Sequence, residues 1–245
     1  MKDTPLPGPR EFAATQWSLV GIAQSDEASR TLSRNALENL CRAYWYPLYA
    51  FVRNRGHSTA DAQDLTQAFF ARFIATGGFA SADRGRGRFR NYLLGALKHF
   101  LANEWNRARM KKRGGGMALL EWDALDPEQR YALEPAEETN PELGYDREWA
   151  LESVARAMKR LREESEAGGK GELFEALKGS LTSEEPPRNM TAARLGITEG
   201  AVKVASHRLR RRFRQLLRDE IAETVENEKE IDEEMRYLVA VLRRQ

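Results

Sequence analysis

Lys203, His207, Arg208, Arg211 and Arg214 recur mostly three or four residues apart, inside a stretch from Gly200 to Arg218 that holds seven Lys/Arg and no Asp or Glu. At that spacing they line one side of a helix with cations, and a line of cations pairs with phosphates. A second basic block, Arg84 to Arg113, has ten Lys/Arg against Glu104 alone. In it Arg88, Arg90, Lys98, Arg107 and Arg109 are candidates for neutralising phosphates. Tyr92, His99, Asn103 and Trp105 stand among them as amphipathic groups. Cations interleaved with aromatics suit a single strand, whose bases stack while charge holds its backbone. Tyr92 and Trp105 are equally open to a plainer role in the core.

Bond-making chemistry finds less support. His57, His99 and His207 are scattered without metal-ligand spacing, and RGRGRF and KKRGGGM lack the order of a phosphate-binding P-loop. There is no Gly-x-Ser-x-Gly. No catalytic residue, metal or cofactor is expected. The enzymatic alternative is a metal-dependent nuclease drawing on Asp61 and Asp64, and it would cut DNA when given a divalent cation.

The chain that must position these groups has 245 residues and a formal net charge of only +2. That small sum conceals alternating blocks. Leu120 to Glu148 carries ten acids against Arg130 and Arg147, and Asp219 to Glu234 carries nine against Lys229. The one cysteine, Cys41, sits in an apolar stretch and reads as a buried thiol. No run reaches the ~20 apolar residues of a membrane span. The N-terminal MKDTPLPGPREF has no apolar signal core. A soluble, cytoplasmic protein without membrane contact is expected.

Strand signals are scarce and helical periodicity is everywhere, so the expected fold is all-α. Ser33 or Asn35 is a candidate cap for a first helix, which Pro47 should kink or divide and Gly56 should stop. Ser58 caps the next, TADAQDLTQAFFARFIAT, and Gly77-Gly78 ends it. A long helix follows from about Phe89 to Lys112. Residues 114–140, marked by glycine, acids and proline, read as a linker. Helices resume at about Pro141–Glu164, and after a glycine break come ELFEALKGSL and two short helices. The expected organisation is an N-terminal extension (1–34), a helical domain (35–113), the acidic linker (114–140), a second helical domain (141–222) and an acidic C-terminal extension (223–245). In the extension, Met235, Leu238, Val239 and Leu242 are the expected apolar face of a further helix.

On a helical wheel with Val202 at zero, Ala205, Ser206, Leu209, Phe213, Leu216 and Leu217 fall within about 60° of it. Lys203, His207, Arg208, Arg211 and Arg214 centre near the opposite side. Upstream, MTAARLG is a short helix ending at Gly196, and Thr198 is a fitting N-cap for the basic helix. Helix, glycine turn and capped second helix make a helix-turn-helix, whose second helix fits the major groove of duplex DNA.

GITEGAVKVASHRLRRRFRQLL resembles the promoter-reading helix-turn-helix of bacterial sigma factors. DAQDLTQAFFARFI resembles that family's core-polymerase-binding helix, and GRFRNYLLGALKHFLANEWNRARMKKR its promoter-melting helices. Order and linker position are similar to the extracytoplasmic-function subfamily over residues about 35 to 220. The resemblance implies that Lys203, His207 and Arg208 face bases of the upstream promoter element, with Thr198, Gly200 and Arg211 at phosphate. It implies that Arg88, Arg90, Tyr92, Lys98, His99, Asn103, Trp105 and Arg107 serve the melted region, capturing an unpaired base. Asp61, Asp64, Gln67 and Arg72, read as sharing one helix face, would dock on the polymerase's largest subunit. The partners implied are core RNA polymerase and promoter DNA, both duplex and melted single strand, with an anti-sigma factor as a further partner that the family allows. Val204 and Ala205 depart from the family, which often carries Ser and Arg there, so the promoter sequence does not transfer. A stand-alone helix-turn-helix regulator is the alternative. The acidic linker and tail either shield the basic faces of the free protein or serve solubility.

Overall fold

A computed structural model describes residues 27–78, 88–110, 140–181, 187–225 and 227–243, with only the backbone for 27–33 and 106–110. Eight α-helices and one 3-10 turn make up the described residues, which contain no strand, so the fold is all-α. The helices are α1 (Glu27–Asn54), α2 (Thr59–Ala75), α3 (Phe89–Met110), α4 (Pro141–Ala167), α5 (Gly171–Leu177), α6 (Arg188–Leu195), α7 (Glu199–Ala222) and α8 (Glu228–Leu242); the 3-10 turn, Lys178–Leu181, follows α5. The chain divides into two compact units, Met1–Glu148 with Glu223–Asn227, and Trp149–Ala222 with Glu228–Gln245. The division falls inside α4, whose first two turns belong to the first unit. The expected linker lies outside the described residues, apart from Asn140. No helix among those residues is long and apolar enough to cross a membrane.

Local chemistry sets the ends of α1 and α2. Gly56 ends the turn after α1 at φ 87, a conformation that suits glycine. Ser58 Oγ accepts from the Asp61 N–H at 3.2 Å and donates to Asp61 Oδ2 at 2.7 Å, closing the N-terminus of α2. At the other end, Gly78 N–H donates to Phe73 O at 2.7 Å and Gly77 N–H to Ile74 O at 3.0 Å. A Cβ on Gly78 would lie 2.5 Å from the Phe73 ring, so glycine is required there.

Two expectations for α1 meet the structure differently. The helix is already formed at Glu27, upstream of Ser33 and Asn35, so neither caps it, and of the kink or division expected at Pro47 the division does not occur. Pro47 is buried with its neighbours Tyr46, Leu48 and Tyr49. The tertiary packing of this segment outweighs the loss of one intrahelical hydrogen bond.

The first unit's core is aromatic. Tyr44 of α1 meets Phe89 of α3 edge-on at 5.4 Å, and Phe69 of α2 meets Phe100 of α3 at 5.8 Å. Cys41 lies beside this core at 2% exposure, and burial, then Glu38, pushes its thiol from 9.0 up to about 12. The thiol should therefore resist thiol reagents at pH 8 in the native protein and react fully in urea. Because the folded pKa is the raised one, unfolding gains ground as pH climbs from 9 toward 12. Rapid labelling of the native protein would contradict this placement.

In the second unit Ala176, Leu177, Ala192 and Val202 form a buried cluster, with Leu173, Leu195, Ala205 and Leu209 packed against it. This seats α5, α6 and the first half of α7 on one another. Farther along α7, Leu216, Leu217 and Ile221 are buried, as are Ile231, Leu238 and Val241 of α8. The apolar face expected for α8 is rotated: Val239 is 40% exposed and Val241 is inside.

Candidate nucleic-acid interface

The turn between α6 and α7 is built from three residues. Gly196 takes the left-handed conformation at φ 63, and the Ile197 N–H reaches back to Ala192 O at 3.1 Å, closing α6. Thr198 Oγ1 accepts from the Ala201 N–H at 3.2 Å and so caps α7. The second helix runs for 24 residues, far longer than the short helix its sequence suggested. Its buried residues Val202, Ser206, Leu216 and Leu217 lie on the apolar face read from the wheel.

The seven cations of this stretch separate into two groups. Arg210 Nε donates to Ser180 O at 2.9 Å. Arg212 grips Glu164 of α4 with two hydrogen bonds, at 2.7 and 2.6 Å, which hold the Glu164 carboxyl below its ordinary range. Arg218 pairs with Asp232 and, at 3.7 Å, with Glu228 of α8. These three are tied to the protein. Lys203, Arg208, Arg211 and Arg214 are exposed and form no ion pair among the described residues. His207 is exposed beside them, as are Thr198 and Gly200 at the helix start. A row of unpaired cations on a rigid helix is an electrostatic surface for a polyanion. The acidic C-terminal segment pairs with Arg218, while Lys203, Arg208, Arg211 and Arg214 have no ion pair with it among the described residues.

The second candidate surface is a cleft of about 300 Å³ between α2 and α3. Phe69, Phe73 and Phe100 line it together with Arg72, His99 and Asn103. Tyr92 also lines it, packed against Phe73 at 5.9 Å. Tyr92 Oη donates to Gly78 O at 2.9 Å, and burial raises the phenol's pKa. The three phenylalanines are buried and form its floor, so the accessible groups include Arg72, Tyr92, His99 and Asn103, which suit a small, partly polar guest. His99 and Asn103 are exposed, and Trp105 stands 62% exposed farther along α3. Arg88 is half-buried. The side chain of Arg107 lies outside the described residues.

Arg90 and Lys98 are placed differently from the phosphate-facing role read in the sequence. Arg90 is 4% exposed, and its Nε lies 3.3 Å from Asp146 Oδ1 of α4. Tyr145 Oη donates to the Arg90 carbonyl at 3.0 Å. A guanidinium enclosed in this way holds α3 and the start of α4 together and is not presented to a phosphate. Lys98 Nζ meets Glu142 at 2.6 Å on the same pair of helices, but both side chains remain more than a third exposed.

On α2, Asp61 and Asp64 are exposed and Gln67 is half-buried. Asp61 already takes part in the helix cap through Ser58. Arg72 sits apart from Asp64 and Gln67, toward α3, with its Nη1 3.9 Å from Glu104 and its side chain in the cleft. Asp64 and Gln67 thus make the middle of the outward face, and Arg72 belongs to the cleft. Sequence reasoning missed the cleft because it arises from two helices meeting. Its traces in the sequence were Phe69, Phe73 and Phe100 and, among the residues read for the melted region, Tyr92, His99 and Asn103.

Compared with protein-family models, with curated proteins and with solved structures, the chain gives no match.

Proposed function

We infer that this chain is an initiation factor of the sigma type, which joins core RNA polymerase and directs promoter recognition and opening. The observation that carries the reading is the capped helix α7, held by its apolar face and by Arg210, Arg212 and Arg218, with Lys203, His207, Arg208 and Arg211 left exposed. A recognition helix in a major groove uses such side chains on base edges and phosphates. The α2–α3 cleft supports the second half of the reading, because a factor that opens DNA needs a receptacle for an unpaired base. The resemblance of both segments to sigma-factor regions, in the same order, supports it further. The chain itself does no covalent chemistry in this account; the polymerase does.

The test is association with core RNA polymerase in the absence of DNA. A stable one-to-one complex, weakened by substitutions at Asp64 and Gln67, is expected. A chain that binds duplex DNA alone and ignores the polymerase would be a stand-alone regulator instead. Divalent-dependent cleavage of DNA by the purified chain would favour the nuclease.

Gly200 offers a result with two opposite signs. A Cβ there would meet only Thr198 Oγ1, at 3.8 Å, so nothing in the protein requires glycine. Gly200→Ala should therefore raise stability by up to ~1 kcal/mol in thermal melts. If a phosphate approaches the α7 N-terminus closely, the same methyl weakens duplex binding severalfold. Unchanged binding would remove Gly200 from the contact surface.

A further inference from the structure

Val204 is the one large apolar side chain exposed on α7, at 50% exposure. It is two residues from buried Val202, about 200° around the helix, which puts it near the middle of the outward face. Lys203, His207 and Arg208 are its exposed neighbours. A solvated cationic face has no use for it. Valine is a weaker helix former than alanine, and here it adds nothing to the core. In a major groove only one feature of a base pair is apolar, the C5-methyl of thymine.

Resting on the function proposed above, we propose that Val204 is a specificity-determining residue that packs on a thymine methyl in the upstream promoter element, between the bases met by Lys203 and Arg208. The exposed position of Val204, central in the cationic row, brings its two methyl groups to the floor of the groove when the flanking cations engage. Selectivity at this position comes from burying a methyl group and not from a hydrogen bond. The chain then prefers thymine to cytosine there and is sensitive to loss of a single methyl.

The test uses the full chain bound to core RNA polymerase, with duplex elements recovered by that complex from a random pool. Each thymine of the element is replaced in turn by deoxyuridine, which removes only the C5-methyl. The wild-type complex should bind about fourfold more weakly at one position, the effect of one methylene-sized burial. Val204→Ser should bind the thymine element more weakly and show no further loss with deoxyuridine at that position, while its melting temperature stays unchanged. An element without thymine, an element indifferent to every replacement, or a serine variant that keeps the fourfold loss would overturn the proposal. So would a serine variant that loses polymerase binding in the absence of DNA, because Val204 would then face a protein. If no polymerase complex forms, the proposed function fails, and the same deoxyuridine series on elements selected by the free chain decides the role of Val204 separately.

Discussion

Arg208→Ala is expected to weaken binding of the polymerase complex to its selected upstream element by about 10- to 100-fold, with a much smaller loss on random duplex. The magnitude is that of one bidentate base contact, about 1–3 kcal/mol. Arg208 is exposed on the outward side of α7, without an ion pair among the described residues, so its removal should leave the fold intact. Lys203→Ala should behave in the same way, with a smaller effect because an ammonium lacks the planar fork of a guanidinium. Arg211→Ala should weaken all sequences alike and reduce the salt dependence of binding by about one charge. Arg212 supplies the control. It is already engaged with Glu164 at 2.6 Å, and its loss should change stability slightly without altering sequence preference. Equal losses on selected and random DNA for Arg208→Ala would reassign it to a phosphate.

Asp146→Ala is expected to destabilise the protein by roughly 3 kcal/mol in urea unfolding, the range found when one partner of a buried pair is removed. Asp146 is 16% exposed and Arg90 only 4%, so alanine leaves a guanidinium enclosed without this carboxylate. A joint Arg90→Met, Asp146→Leu change should recover much of the loss, because two apolar groups replace both charges. On the same pair of helices, Glu142→Ala should cost less than ~1 kcal/mol, since Lys98 and Glu142 stay in water. The hydrogen bond from Lys98 holds the Glu142 carboxyl below its ordinary range. Its small contribution is therefore present above the ordinary carboxylate pKa and fades as pH falls through the lowered one. The contrast between the two pairs separates burial from mere proximity. If Asp146→Ala cost no more than Glu142→Ala, the start of α4 would not be anchored by Arg90.

The parts of this molecule that were legible in its sequence are those decided by neighbouring residues. Ser58, Gly77, Gly196 and Thr198 mark helix ends because each bond they make or allow lies within a few residues. The face of α7 was legible because its period follows from helix geometry alone. What the sequence withheld depends on partners far along the chain. Arg90 looks like a surface cation until Asp146 and Tyr145, more than 50 residues away, enclose it. The seven basic residues of the α7 stretch look alike until Ser180, Glu164 and Asp232 engage three of them. Pro47 reads as a kink or a division, and the division fails because propensity does not register a buried, aromatic surrounding. Tyr92, His99 and Asn103 were legible as candidates, but the cleft they line was not, since Phe73 and Phe100 face one space only after α2 and α3 meet.

Transcription in vitro, with core RNA polymerase, this chain and a genomic template library, tests the central claim most directly. The account predicts start sites that depend on the chain, share a common upstream element, and disappear with Arg208→Ala. Core polymerase that initiates at no new site when the chain is added would contradict it.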